Sequence, residues 1–103
     1  MDYKLYRLPN GDDRAFVGFS LMKKYGLIFN PSDYEMVYSG HITCEPGDEL
    51  EAIFYQLNME HPKDFLEKHL YSMSVGDVVE LSGDFYFCDS VGWKKVESEG
   101  FGQ

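Results

Sequence analysis

Along the chain, apolar and polar positions first alternate and then change period. Tyr3 to Leu8 (YKLYRL) alternates apolar and charged side chains, which reads as a strand, and it ends at Pro9-Asn10-Gly11-Asp12, a turn built from residues that tolerate positive φ. Arg14 to Phe19 (RAFVGF) reads either as a second short strand or as the entry to a helix over Leu21 to Tyr25, with Ser20 as its N-cap and Gly26 as its stop. After the breaker Asn30-Pro31-Ser32-Asp33, Tyr34 to Ile42 (YEMVYSGHI) carries the aromatic and β-branched content of a strand. Leu50, Ile53, Phe54 and Leu57 then recur at helical spacing behind Pro46-Gly47, with Asp48 as the predicted cap and Glu51 at the capping-box position. This helix is expected to bury one face, show an acidic one, and end near Asn58, because His61-Pro62 cannot continue it.

The second half reads as a meander. Lys63 to Ser74 is predicted irregular, with a turn of helix through Asp64 to Glu67, and Val75-Gly76-Asp77 turns the chain into a strand at Val78 to Leu81. Ser82-Gly83-Asp84 signals a hairpin, followed by strand segments at Phe85 to Cys88 and Trp93 to Val96, with a break at Ser90 to Gly92. The expectation is one α+β domain over residues 1–103: mainly an antiparallel sheet of about four to five strands, with two helices. No repeat, low-complexity tract or linker suggests a second domain. A C2 dimer joined through Tyr3 to Leu8 as an edge strand is an ordinary possibility for such a sheet.

Composition supports an ordered globule: 44% of the residues are hydrophobic and 17% aromatic, too many for a disordered tail. Charge changes the picture more. Eighteen acids against nine bases leave a net charge of -9, and from Tyr25 to Pro62 there is no Lys or Arg, while Asp33, Glu35, Glu45, Asp48, Glu49, Glu51 and Glu60 all lie in that stretch. Such a field repels phosphate backbones, so direct nucleic-acid binding is disfavoured and a partner protein with a basic surface is favoured. The cluster Glu45, Asp48, Glu49, Glu51 and Glu60, with Tyr55 as an amphipathic anchor, is the expected partner-binding surface. No apolar run is long enough to span a bilayer and the amino-terminal residues do not form a signal peptide, so a cytoplasmic protein is expected.

Chemistry finds little purchase. His41 and Cys44 are three residues apart, but no paired C-x-x-C or H-x-x-x-H spacing occurs, so no metal and no cofactor is expected. Cys88, in an aromatic strand, reads as a core residue before it reads as a nucleophile. His61, Asp64 and His69 are the one cluster that a nuclease-like reading can nominate; no catalytic residue is otherwise expected.

Tyr34-Glu35-Met36-Val37-Tyr38-Ser39-Gly40, then Leu50-Glu51-Ala52-Ile53-Phe54, Leu57-Asn58 and His61-Pro62-Lys63-Asp64-Phe65, then Ser72 to Val79 with Tyr86, Asp89-Ser90 and Gly92-Trp93, together resemble the YodL-like domain of Firmicutes and related bacteria. The resemblance implies a setting on plasmids, conjugative elements and phage-related islands, with no common enzymatic activity. It points to a non-enzymatic accessory factor, and for a stand-alone acidic domain to an anti-CRISPR-like inhibitor that occupies the nucleic-acid channel of a Cas9-type nuclease. The family name equally suggests a regulator of cell shape or sporulation acting on a cytoskeletal protein. A small nuclease or nuclease-assisting factor is the third reading.

Overall fold

A computed structural model describes residues 1–101. Its strands are β1 (Asp2–Arg7), β2 (Glu35–His41), β3 (Val78–Leu81), β4 (Asp84–Cys88) and β5 (Trp93–Val96), and its helices are α1 (Phe19–Lys24), α2 (Glu49–Met59) and α3 (Lys63–Glu67). The strands form one sheet in the order β2-β1-β3-β4-β5, and every neighbouring pair is antiparallel. The fold is α+β, as the period changes along the sequence predict. The short α3 accounts for the helical turn expected within Lys63 to Ser74.

One expectation fails at the level of topology. β1 is not an edge strand: it lies between β2 and β3, with Leu5 opposite both Tyr38 and Val79. Both of its backbone edges are used inside the sheet, so no dimer can form through Tyr3 to Leu8 without unzipping the domain. The edges are β2 and β5. β2 carries a bulge, since Leu5 faces Tyr38 but Tyr6 faces Met36, which leaves Val37 unmatched; such a bulge bends an edge and blunts its capacity to pair.

Alternation along the strands distributes side chains to two cores, one on each side of the sheet. On one face Tyr3, Leu5, Tyr38, Val79, Leu81 and Cys88 pack against Ile53 and Leu57 of α2 and Phe65 of α3. On the other, Tyr6, Leu8, Val78, Phe85 and Phe87 pack against Met22 of α1, Tyr34 and Phe101. Central strands buried on both faces explain why YKLYRL shows so many apolar positions. Only Lys4 of that run is exposed, and Arg7 is buried with an ion partner.

The connections follow their turn chemistry. Ser82 and Gly83 both take positive φ, 51° and 88°, as a two-residue hairpin of the type I′ kind requires. Arg14 to Val17 is the entry to α1 and not a strand. Arg14 organises that entry, donating through Nε and Nη2 to the two carboxylate oxygens of Asp12 at 2.9 and 2.7 Å, and through Nη1 to Asp33 at 2.9 Å and to the Ile28 carbonyl at 3.0 Å. Those bonds hold the Asp12 carboxyl down at about 2, below the ordinary carboxylate range.

Two cap expectations also need correction. Gly18, not Ser20, is the N-cap of α1, and the carboxylate that serves this end comes from across the fold: Asp89 Oδ1 accepts from the Phe19 backbone N–H at 3.2 Å. A Cβ on Gly18 would lie 2.6 Å from that oxygen, so a side chain at the cap position would push the Asp89 carboxylate away from the Phe19 N–H. At α2, Asp48 is the N-cap, but with φ -102° and ψ 11° it is not in the extended conformation that aims a cap side chain at the helix, and its carboxylate makes no capping bond. Glu49 turns back instead, accepting from the Gly47 N–H at 2.9 and 3.0 Å.

Candidate functional site

α2 is held to the sheet by its inner face, and this decides what its outer face can offer. Ile53 and Leu57 are fully buried. Between them, Gln56 ties the helix to two strands: its Oε1 accepts from the Tyr3 hydroxyl at 2.6 Å and its Nε2 donates to the His41 carbonyl at 3.1 Å. Burial pushes the Tyr3 hydroxyl well above its ordinary range, with the nearby Tyr38 and Asp64 adding to the effect, so the hydroxyl stays a donor at any physiological pH. Tyr38 donates to Asp64 at 2.7 Å and packs edge-on against Phe65 at 5.1 Å, which docks α3 on the same face.

The residues expected to bind a partner fall on the outside of this assembly. Glu45, Asp48, Glu51 and Glu60 are exposed, and Tyr55 is 54% exposed. Glu49 is half-buried and occupied with Gly47, so it braces the loop more than it presents charge. None of these five carboxylates is ion-paired among the described residues, where the pairs are Arg7–Asp77, Arg14 with Asp12 and Asp33, His41–Asp2 and Lys95–Asp84. Sequence reasoning missed two members of the surface. Phe54, expected in the core, is 38% exposed, and Met59 is 69% exposed. The signal for Met59 was present: Glu51, Tyr55 and Met59 stand four residues apart and so share one stripe of the helix. The groove beside this stripe, about 950 Å³, is walled on its other side by His41, Ile42 and Thr43.

Two members of the cluster nominated for catalysis, His61 and Asp64, are engaged elsewhere. His61 stacks on Phe65 with ring planes 10° apart and shares a hydrogen bond with Ser72 Oγ at 2.9 Å. Asp64 accepts from Tyr38, and His69 sits at φ 57° just after α3. Cys88 is in the core, where burial first and the neighbouring Asp77 and Asp89 next push its thiol up to about 12. Cys44 is exposed, with its thiol raised by local desolvation and by Glu49 and Asp48. Among the described residues no group of three or more His, Cys, Asp or Glu is placed to hold a metal ion, and no helix is long and apolar enough to cross a membrane.

Fold and surface together define a small α+β domain with a five-stranded antiparallel sheet covered on both faces and an acidic, aromatic-bearing helix on its outside. The chain belongs to the YodL-like domain family, whose profile matches residues 2–98. No curated protein and no solved structure matches it.

Proposed function

We propose that this domain is a non-enzymatic protein-binding factor of a mobile genetic element that acts in the cytoplasm by docking the outer face of α2 on a basic surface of a host protein. The nucleic-acid channel of a Cas9-type nuclease is the partner surface that fits the charge best. The observation that carries this reading is the stripe itself: Asp48, Glu51 and Glu60, exposed and without an ion partner among the described residues, flank the exposed apolar bodies of Tyr55 and Met59 on α2 and at its caps. Carboxylates without intramolecular partners keep their full attraction for a cationic surface, and aromatic or thioether anchors supply the desolvated contact that charge alone does not. The rigid attachment through Gln56, Ile53 and Leu57 means that little ordering cost is added on binding.

The test is capture of the nuclease by the tagged domain at low and high salt, with the triple variant Asp48→Lys, Glu51→Lys, Glu60→Lys and the single variant Tyr55→Ala alongside. Capture should weaken at high salt, vanish for the triple variant and fall for Tyr55→Ala. Capture unchanged by charge reversal would exclude mimicry through α2. Retention of a cytoskeletal protein in its place, in cells that lack any such nuclease, would move the assignment to a regulator of cell shape.

A further inference from the structure

At the far end of β1, Arg7 is buried to within 3% of its surface, and its guanidinium is only partly satisfied. Nη2 donates to Asp77 Oδ2 and to the Ser72 carbonyl, each at 3.0 Å. Among the described residues, Nε and Nη1 have no acceptor. Buried polar groups are nearly always hydrogen-bonded, so two orphaned N–H groups on one buried guanidinium call for a cause. The ring of Tyr71 covers the guanidinium, with its centroid 3.8 Å from Cζ. That cover is not locked: Tyr71 is 40% exposed and rests against Phe16, which is itself 61% exposed. Strain gathers on the same segments, since Phe16 and His69 are non-glycine residues at φ 65° and 57°. Residues held in such conformations concentrate where a fold binds or switches. Arg7 also lines a cavity of about 210 Å³, together with Asn10, Glu35, Val37, His69 and Tyr71.

We infer that this cavity is a binding site for a neutral peptide unit, whose carbonyl oxygen accepts in the guanidinium plane from the free N–H groups of Arg7 once Tyr71 leaves its face and the guanidinium turns an edge to the cavity. Charge selects the ligand class. Asp77 already neutralises Arg7, and Glu35 stands in the wall, so a carboxylate or phosphate would enter a site whose charge is already negative. A peptide carbonyl brings acceptor lone pairs without charge, and the N–H of the same unit has Glu35 and Asn10 as acceptors. The site is separate from the acidic stripe of α2 and stands or falls without it.

Arg7 and Arg14 are the only arginines in the chain, so each Nε–H can be followed by nitrogen-resolved NMR, with Arg14 as the internal reference. Titration with N-acetylglycinamide should shift the Arg7 Nε–H and the Tyr71 ring signals saturably and leave Arg14 in place, while acetate should move neither. Tyr71→Ala should bind the amide with a several-fold lower Kd, because the cover is gone. Arg7→Lys keeps the charge and should abolish the Tyr71 response. An Arg7 Nε–H that does not respond to the amide overturns the site, and an equal or larger response to acetate overturns its assignment to a neutral ligand. Should Arg7→Lys fail to fold, the Arg7 signal in the wild type and in Tyr71→Ala decides the matter: equal affinity of the two overturns the role of the cover.

Discussion

Gly40 lies opposite Tyr3 in the β1–β2 ladder, under two tyrosine rings. A Cβ there would sit 2.6 Å from Tyr3 Cζ and 2.8 Å from a Tyr38 ring carbon, and both rings are fixed by hydrogen bonds, to Gln56 and to Asp64. Neither ring can retreat without breaking a bond that docks α2 or α3. Gly40→Ala should therefore lower the unfolding free energy by about 1–3 kcal/mol, in the range of overpacked cores, as read from the urea midpoint at an unchanged m-value. In the sequence, Gly40 is one glycine among ten, with nothing local to mark it. Cys88 is the opposite case: an aromatic strand around it is a local sign of burial, and the core is where it lies.

At the scale of elements, α1 is six residues long and stands by contacts made far away in sequence. A helix of that length has little stability of its own. Phe19 packs on Phe87 at 4.4 Å and Met22 is buried, while Asp89, in the β4–β5 turn, receives the first N–H of the helix. Asp89→Ala should cost about 1 kcal/mol, as loss of a cap does, and should raise amide exchange in α1 before it does so in the sheet. Ser20 looked like the cap because it has the right chemistry; Gly18 holds the cap position, and Asp89 supplies the acceptor because the β4–β5 turn brings it there. The Arg14 hub ties the α1 entry to Asp33 in the same long-range manner, and its acid response has a definite sign. Asp12 has a folded value of about 2, below its unfolded value near 3.8, so its contribution is fully present above about pH 4 and is lost as pH falls through 2. Thermal midpoints should fall over that window, and Asp12→Asn should flatten the fall.

For the whole molecule, the arrangement of charge matters more than its sum. Asp48, Glu51 and Glu60, on α2 and at its two ends, face solvent with no ion partner among the described residues, and Lys94 and Lys95 lie on the edge strand β5. A net charge of -9 on so small a domain repels itself, which opposes compaction. Raising ionic strength from low to physiological should therefore raise the thermal midpoint, and the triple Lys variant of α2 should show a smaller salt response than the wild type. A salt response identical in the two proteins would locate the self-repulsion elsewhere.

Period, turn residues and helix breakers act over a few neighbours, and so the strands, the hairpin at Ser82-Gly83, helix α2 and the acidic stretch around it were legible in the chain alone. The family could be read in the same way, from motifs that are themselves local. Strand order was not legible, and β1 shows why: alternation tells a strand which side chains point together, but says nothing about whether one or both of its edges are paired. The partners that matter most for the interior are remote, with Arg7 meeting Asp77, Tyr3 meeting Gln56 and Asp89 meeting Phe19 across 70, 53 and 70 residues. Phe54 was misplaced for a related reason, because helical spacing defines a broad apolar face and only the packing of α2 on the sheet decides how much of it is covered. The chain by itself determined its elements and its surface charge. The tertiary structure decided which edges close, which polar groups are paired and which are left over, because those depend on distances that form only when both cores have packed.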